Sequence, residues 1–211
     1  MKTIVSLVLL FIGMVTLCPD AFADKKGKQS NEEINDSIMA MFAEIQKNVA
    51  LEGDSWIITK VVDAPGKSST DIYSAATLAL SELLKDSNDV IKEKDKETGN
   101  IVAKITLPIK VKNLGLGSYQ SLVYHTTISI AIKDNRYRIK LTTEDGKSTS
   151  NNQYIGNYTS YVTHYYPYWK DCKPKNRLKS FETLQQIYVV TSETIAALEF
   201  RINKQLKDSD W

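Results

Sequence analysis

The feature that most constrains this chain is one block, Trp56 to Thr143, that reads as strand, capped helix and then four strands. Trp56 to Val62 is rich in β-branched residues, and Ala64-Pro65-Gly66 ends it with turn chemistry. Ser68 with Asp71 three residues on is a capping-box variant that also places an acid at the positive helix end. Ile72, Ala75, Ala76, Ala79, Leu80, Leu83 and Leu84 follow as one apolar face, and its alanines predict close approach to a sheet. Val90–Lys94 is a short strand, and Asp95 to Asn100 a turn. Ile101 to Lys112 alternates, with Ile105, Leu107, Ile109 and Val111 on one face; Pro108 on the other predicts an edge or a bulge. Tyr119–Lys133 and Arg136–Thr143 alternate likewise across an Asp134-Asn135 hairpin turn.

Helical patterns flank the block. Ser30 and Glu33 form a capping box, and Ile34, Ile38, Met41, Phe42, Ile45 and Val49 predict an amphipathic helix over 31–50 before Gly53-Asp54 breaks it. A last helix is predicted from about Leu178 to Leu206, with Phe181, Leu184, Tyr188, Ile195, Leu198 and Ile202 inward; Thr191-Ser192 could bend it. The order is helix, β-α-β-β-β-β, helix: an α+β domain whose antiparallel sheet packs helices on one face and meets water on the other. The predicted parts are a leader at 24–30, a helix at 31–52, a core at 53–143, a polar and tyrosine-rich insertion at 144–177 and a closing helical segment at 178–211.

Three stretches carry a family resemblance. They are Val61-Val62-Asp63-Ala64-Pro65-Gly66-Lys67-Ser68 with Ile72-Tyr73, Asp89-Val90-Ile91 with Glu97-Thr98-Gly99-Asn100-Ile101, and Ile132-Lys133-Asp134-Asn135-Arg136-Tyr137-Arg138. In this order they resemble a bacterial secreted domain-of-unknown-function family with a TATA-binding-protein-like fold, over roughly residues 56–143. The resemblance implies a β-α-β4-α domain with a curved sheet. It implies no activity and no catalytic residue, and a fold name is no evidence of DNA binding. Lys104 stands where such sequences often carry glycine, and 144–177 looks like an addition.

The amino terminus reads as an address. Lys2, the apolar run Ile4–Leu17 and the small-x-small motif Ala21-Phe22-Ala23 predict a signal peptide cleaved after Ala23, and hence a periplasmic or secreted chain. The apolar run is shorter than the roughly 20 residues of a membrane span, and no second one follows. Cys18 raises a lipoprotein alternative, which bulky Leu17 disfavours. Without Cys18, Cys172 is the only thiol, so no intrachain disulfide is expected. A net charge of +2 argues against a dedicated nucleic-acid binder.

Catalytic and metal patterns are not recognisable. His125 and His164 show no ligand spacing, Gly115-Leu116-Gly117-Ser118 lacks a nucleophile elbow's strand-to-helix setting, and no phosphate loop occurs. No cofactor or metal is expected. Two surfaces are candidates. Lys104, Lys110, Lys112, Lys133, Arg136, Arg138 and Lys140 all read outward on the sheet, with no acid at those positions, which predicts a basic patch. The plainer reading is a solvated face whose lysines discourage edge-to-edge pairing. The second surface is Tyr154–Trp169, which gathers six of the eleven tyrosines: Tyr154, Tyr158, Tyr161, Tyr165, Tyr166 and Tyr168, with Trp169 beside them. Tyrosine offers broad contact with a polar tip, suited to protein or sugar; the plainer reading is an added strand or loop packed on the domain. The favoured expectation is a non-catalytic binding module meeting an envelope protein, glycan or anionic polymer, with no particular oligomer implied. The alternative is a carrier of small apolar ligands, with Ile128, Ile130, Tyr137, Ile139 and Ile202 lining a cavity. A hydrolase is third.

Overall fold

The computed structural model describes residues 31–53, 55–84, 91–112, 119–148, 159–161 and 174–208. The predicted signal peptide, Cys172, His164, Tyr165, Tyr166, Tyr168 and Trp169 lie outside the described residues. The chain divides into two compact units, Met1–Ala40 and Met41–Trp211. Of the first, residues 31–40 are described, and they are helical.

Helix α1, Asn31–Asn48, ends two residues before the sequence pattern does. Asn48 turns its amide onto the Glu44 carbonyl at 3.0 Å and onto the Tyr188 hydroxyl at 2.9 Å. Val49–Glu52 then forms a strand, β1, hairpinned through Gly53 onto β2, Ser55–Asp63. Val49 thus leaves the helical stripe and is buried in the sheet opposite Ile58. A β-branched residue after a helix end gains more from a pleated, half-buried site than from a frayed last turn.

Helix α2 is Ser69–Leu84, and β3 is Ile91–Asp95. The long strands are β4, Asn100–Lys112; β5, Tyr119–Lys133; and β6, Arg136–Ser148. Strand β7, Thr159–Tyr161, and helix α3, Pro174–Asp208, complete the described elements. The strands run β1-β2-β6-β5-β4-β3, each antiparallel to its neighbour, and β7 pairs with β6 at Asp145–Lys147. This is the α+β antiparallel architecture that the pattern predicts. Strand β6 continues five residues past Thr143, and Tyr161 belongs to a sheet strand opposite Asp145. Pro108 sits in mid-strand, with an exposed ring, on a strand paired on both sides; along the Pro108 stretch the described partner is β5.

One face of the sheet carries the core. Trp56, Ile58, Ile101, Tyr124, Ile128, Ile130, Tyr137, Ile139 and Leu141 are all buried there. Each such aliphatic or aromatic side chain is worth about 1.5–3 kcal/mol when fully buried. Helices α2 and α3 cover this face, and α2 lies against α3 more extensively than against the strands. The α2 alanines therefore serve helix–helix approach as well as approach to the sheet. Thr126 and Thr143 are buried as a cross-strand pair with their hydroxyls 3.0 Å apart. The Thr191 hydroxyl donates to the Ile187 carbonyl at 2.7 Å and lies 3.0 Å from that of Tyr188, so it is satisfied inside the helix.

The three resemblance motifs meet at one end of the domain. The β2–α2 turn is tied to the β5–β6 hairpin by four hydrogen bonds. Ala64 N donates to Asn135 O at 2.7 Å, Asn135 N to Lys67 O at 2.9 Å, Gly66 N to Asn135 Oδ1 at 2.8 Å, and Ser69 N to Asp134 Oδ1 at 2.6 Å. Asn135 takes a left-handed backbone, φ 64°, as a tight hairpin demands. Ser68 and Asp71 close the capping box, the Ser68 hydroxyl donating at 2.6 Å. Lys67 Nζ reaches the Leu206 carbonyl at the end of α3, 2.9 Å away. In the β3–β4 turn, Asp95 Oδ1 accepts from Glu97 N and Thr98 N, and Gly99 O accepts from Ile132 N at 2.9 Å. A Cβ on Gly99 would sit 2.7 Å from the Ile132 carbonyl oxygen, at φ +69°.

Candidate functional site

The face of the sheet turned away from α2 and α3 is exposed along its hairpin-end rows, whereas Ile57, further along the same face, is buried; its chemistry is set by strand register. At the hairpin end, Lys133 stands directly opposite Arg136, with Asp63 of β2 beyond. The next outward row is Ala131, Arg138 and Val61, and the next Ser129, Lys140 and Thr59. Lys133, Arg136 and Arg138 are exposed; Lys140 is partly covered and lies 3.4 Å from Glu52. Four cations thus crowd three successive rows of two neighbouring strands. Between them and β4, the β5 residues Ala131, Ser129 and Thr127 are small, leaving a smooth strip along the sheet.

The other three basic residues are elsewhere. Lys110 pairs with Ser121 and Lys112 with Tyr119, ten or more residues along β5 from Ala131; at about 3.3 Å per residue that is some 30 Å from the cationic rows. For Lys110, Lys112 and Tyr161 the backbone alone is described. Lys104 pairs with Thr127 and joins a different group. With Thr106, His125, Thr127 and Glu144 it lines a cleft of about 420 Å³ on the outer face. The cleft forms where the β5–β6 register slips. Tyr124 pairs with Gly146 and Thr126 with Thr143, so in the ladder His125 stands opposite the two positions Glu144 and Asp145. Such a bulge re-aims side chains and locally increases twist.

Acids therefore share this face with the cations. Glu144 is the residue that sequence reading leaves out, because it reads as the start of the polar insertion at 144–177. Its outward position continues the parity of Arg138, Lys140 and Thr142. Among the described residues, no three His, Cys, Asp or Glu side chains are grouped as metal ligands would be. The residues expected to line an apolar carrier cavity, Ile128, Ile130, Tyr137, Ile139 and Ile202, are fully buried in the packed layer. Tyr137 donates to Asn203 Oδ1 at 3.1 Å, and burial, reinforced by the nearby Glu199 carboxylate, pushes its phenol well above the ordinary range. Tyr188 is raised too, first by burial and then by Glu44. No described helix is long and apolar enough to cross a membrane.

Fold and surface together define a one-sided antiparallel α+β domain, helix-covered on one face and chemically mixed on the other. Residues 59–143 match the family model described as domain of unknown function (DUF4468) with TBP-like fold. Among solved structures it is similar to a DUF4468 family protein from Bacteroides ovatus ATCC 8483. The identity is 17% and the TM-score 0.44, covering 72% of this chain and 90% of that one. It is also similar to a TBP-like protein from Parabacteroides distasonis ATCC 8503, at 15% identity and a TM-score of 0.46, covering 71% of this chain and 96% of that one. No curated protein matches the chain.

Proposed function

We propose that this chain is an exported, non-catalytic binding module whose outer sheet face, at the hairpin end, engages an anionic polymer of the cell envelope. The observation that supports this reading is the grouping of Lys133, Arg136, Arg138 and Lys140 on β5 and β6. Like charges directly opposite each other disfavour sheet formation by up to about 1 kcal/mol, so Lys133 and Arg136 bring the fold no gain as a pair. Protection against edge-to-edge pairing does not account for them either. Among the described residues the strand order ends at β1 and β3, with β7 beside the far end of β6, whereas β5 and the Arg136–Thr143 part of β6 are interior. A polyanion laid along the small-residue strip would meet the exposed Lys133, Arg136 and Arg138, with Lys140, already beside Glu52, at the strip's margin, and would release its own counterions. The leader, with Ile4–Leu17 and Ala21-Phe22-Ala23, supports an envelope or extracellular setting.

Chromatography on an immobilised polyanion tests the reading. Wild type is retained and elutes as salt rises, and Arg136→Glu with Arg138→Glu elutes without retention while its melting transition stays in place. Equal retention of the two proteins at every salt concentration removes this face as the binding surface.

A further inference from the structure

We infer that the bulge cleft is a separate site for a small zwitterion of about dipeptide length. Its charges stand at opposite corners: Lys104 on β4 and Glu144 on β6, with His125 and Thr127 of β5 between them. Thr106 pairs with His125 and adds a second hydroxyl. No ion pair joins Lys104 to Glu144, although both side chains are exposed and line one cleft. Two strand spacings and one same-face step separate their backbones, roughly 12 Å. An extended dipeptide spans about 7 Å between its ends, and the two flexible side chains cover the rest.

The pairing of charges decides the ligand class. A simple anion that approaches Lys104 meets the Glu144 carboxylate, and a simple cation at Glu144 meets the Lys104 ammonium. A molecule bearing both charges satisfies both at once, with its ammonium towards Glu144 and its carboxylate towards Lys104. The threonine hydroxyls then serve the peptide group in the middle. A volume of about 420 Å³ suits so small a ligand. The bulge has a role in this arrangement, because it carries Glu144 out of the regular ladder beside His125. This site is independent of polyanion binding, since none of the four hairpin-end cations lines it.

Calorimetric titration of the purified chain at low salt with dialanine, N-acetyl-dialanine and dialanine amide tests the site. Free dialanine binds in the millimolar range, and blocking either terminus weakens it about fivefold. In Glu144→Gln the free and N-acetylated ligands bind alike, while the amide remains weaker. In Lys104→Met the free and amidated ligands bind alike, while the acetylated form remains weaker. Three results would each overturn the inference: no binding of free dialanine, equal binding of all three ligands to wild type, or variants that keep the wild-type order. The blocked ligands test the charges without altering the protein, so the result does not depend on how the variants fold.

Discussion

Asn135 combines two properties that single substitutions can separate. Its backbone is left-handed, and its side-chain oxygen accepts the Gly66 amide proton at 2.8 Å. Alanine removes both. A left-handed conformation costs an ordinary L-residue about 1–2 kcal/mol, and loss of the hydrogen bond about 1 kcal/mol more, so Asn135→Ala should destabilise by about 2–3 kcal/mol. Glycine adopts the backbone freely but loses the bond and adds unfolded-state entropy, for about 1–1.5 kcal/mol. Aspartate keeps both the acceptor and the tolerance of positive φ, and should cost under about 0.5 kcal/mol. The backbone bonds of Asn135 to Ala64 and Lys67 survive in all three variants. In a domain of this size 1 kcal/mol moves the midpoint by about 2–4 °C. Alanine should therefore lower it by about 5–10 °C and glycine by about half as much, with aspartate near wild type, as read by circular dichroism melts or urea titration. If alanine and glycine prove equal, the backbone-strain reasoning is refuted. If aspartate is as damaging as alanine, the Gly66 contact does not hold the turn.

Two further outcomes concern backbone strain at glycines and the hydrogen-bonded aspartates. Gly99→Ala should cost about 3 kcal/mol, because strain at positive φ adds to a clash with the Ile132 carbonyl; Gly53→Ala, with positive φ but no atom within 4 Å of the new Cβ, should cost only about 1 kcal/mol. Comparison of the two urea midpoints checks the difference. Asp71, Asp95 and Asp134 all lie below the ordinary aspartate value of 3.8, held there chiefly by hydrogen bonds from Ser68, Thr98 and Ser69 respectively. A depressed folded pKa contributes stability that is present above the unfolded value and lost as pH falls through the folded one. Stability should thus drop as the pH is lowered from about 4, and Asp134→Asn should make that drop shallower in acid titrations followed by fluorescence.

Much of the fold was legible because its signals are local. The period-two runs of β4, β5 and β6 state which residues are buried, and the Ser68–Asp71 box states where α2 begins. Position 49 was misread because valine continues a helical stripe as well as it starts a strand; only the pairing with Ile58, set by the hairpin at Gly53, decides between them. The cleft was hidden for a related reason. Outward parity places Lys104, Thr106, His125 and Thr127 correctly, but their grouping with Glu144 depends on a register slip that alternation within one strand cannot reveal. Register also disperses the seven outward cations, since equal parity on two strands says nothing about distance along them.

The resemblance motifs and the candidate sites share strands but answer to different physics. Asn135, Gly99 and Gly66 take left-handed backbones, and each bonds another part of the chain in the same turn cluster, while Ser68 caps α2 through Asp71. These residues lie in the motifs that carry the family resemblance. Lys133, Arg136 and Arg138 alternate along β5 and β6 with Ile132, Tyr137 and Ile139, which are buried. Any outward residue can therefore change while its inward neighbour keeps the core intact. Recognition of this domain is thus evidence about its inner face and turns, and carries no information about what its outer face binds. Glu144 makes the point sharply. It lies one residue beyond the segment that matches the family model, yet it supplies the negative corner of the cleft. Binding chemistry in this architecture has to be established on each chain from its outward rows and its register slips.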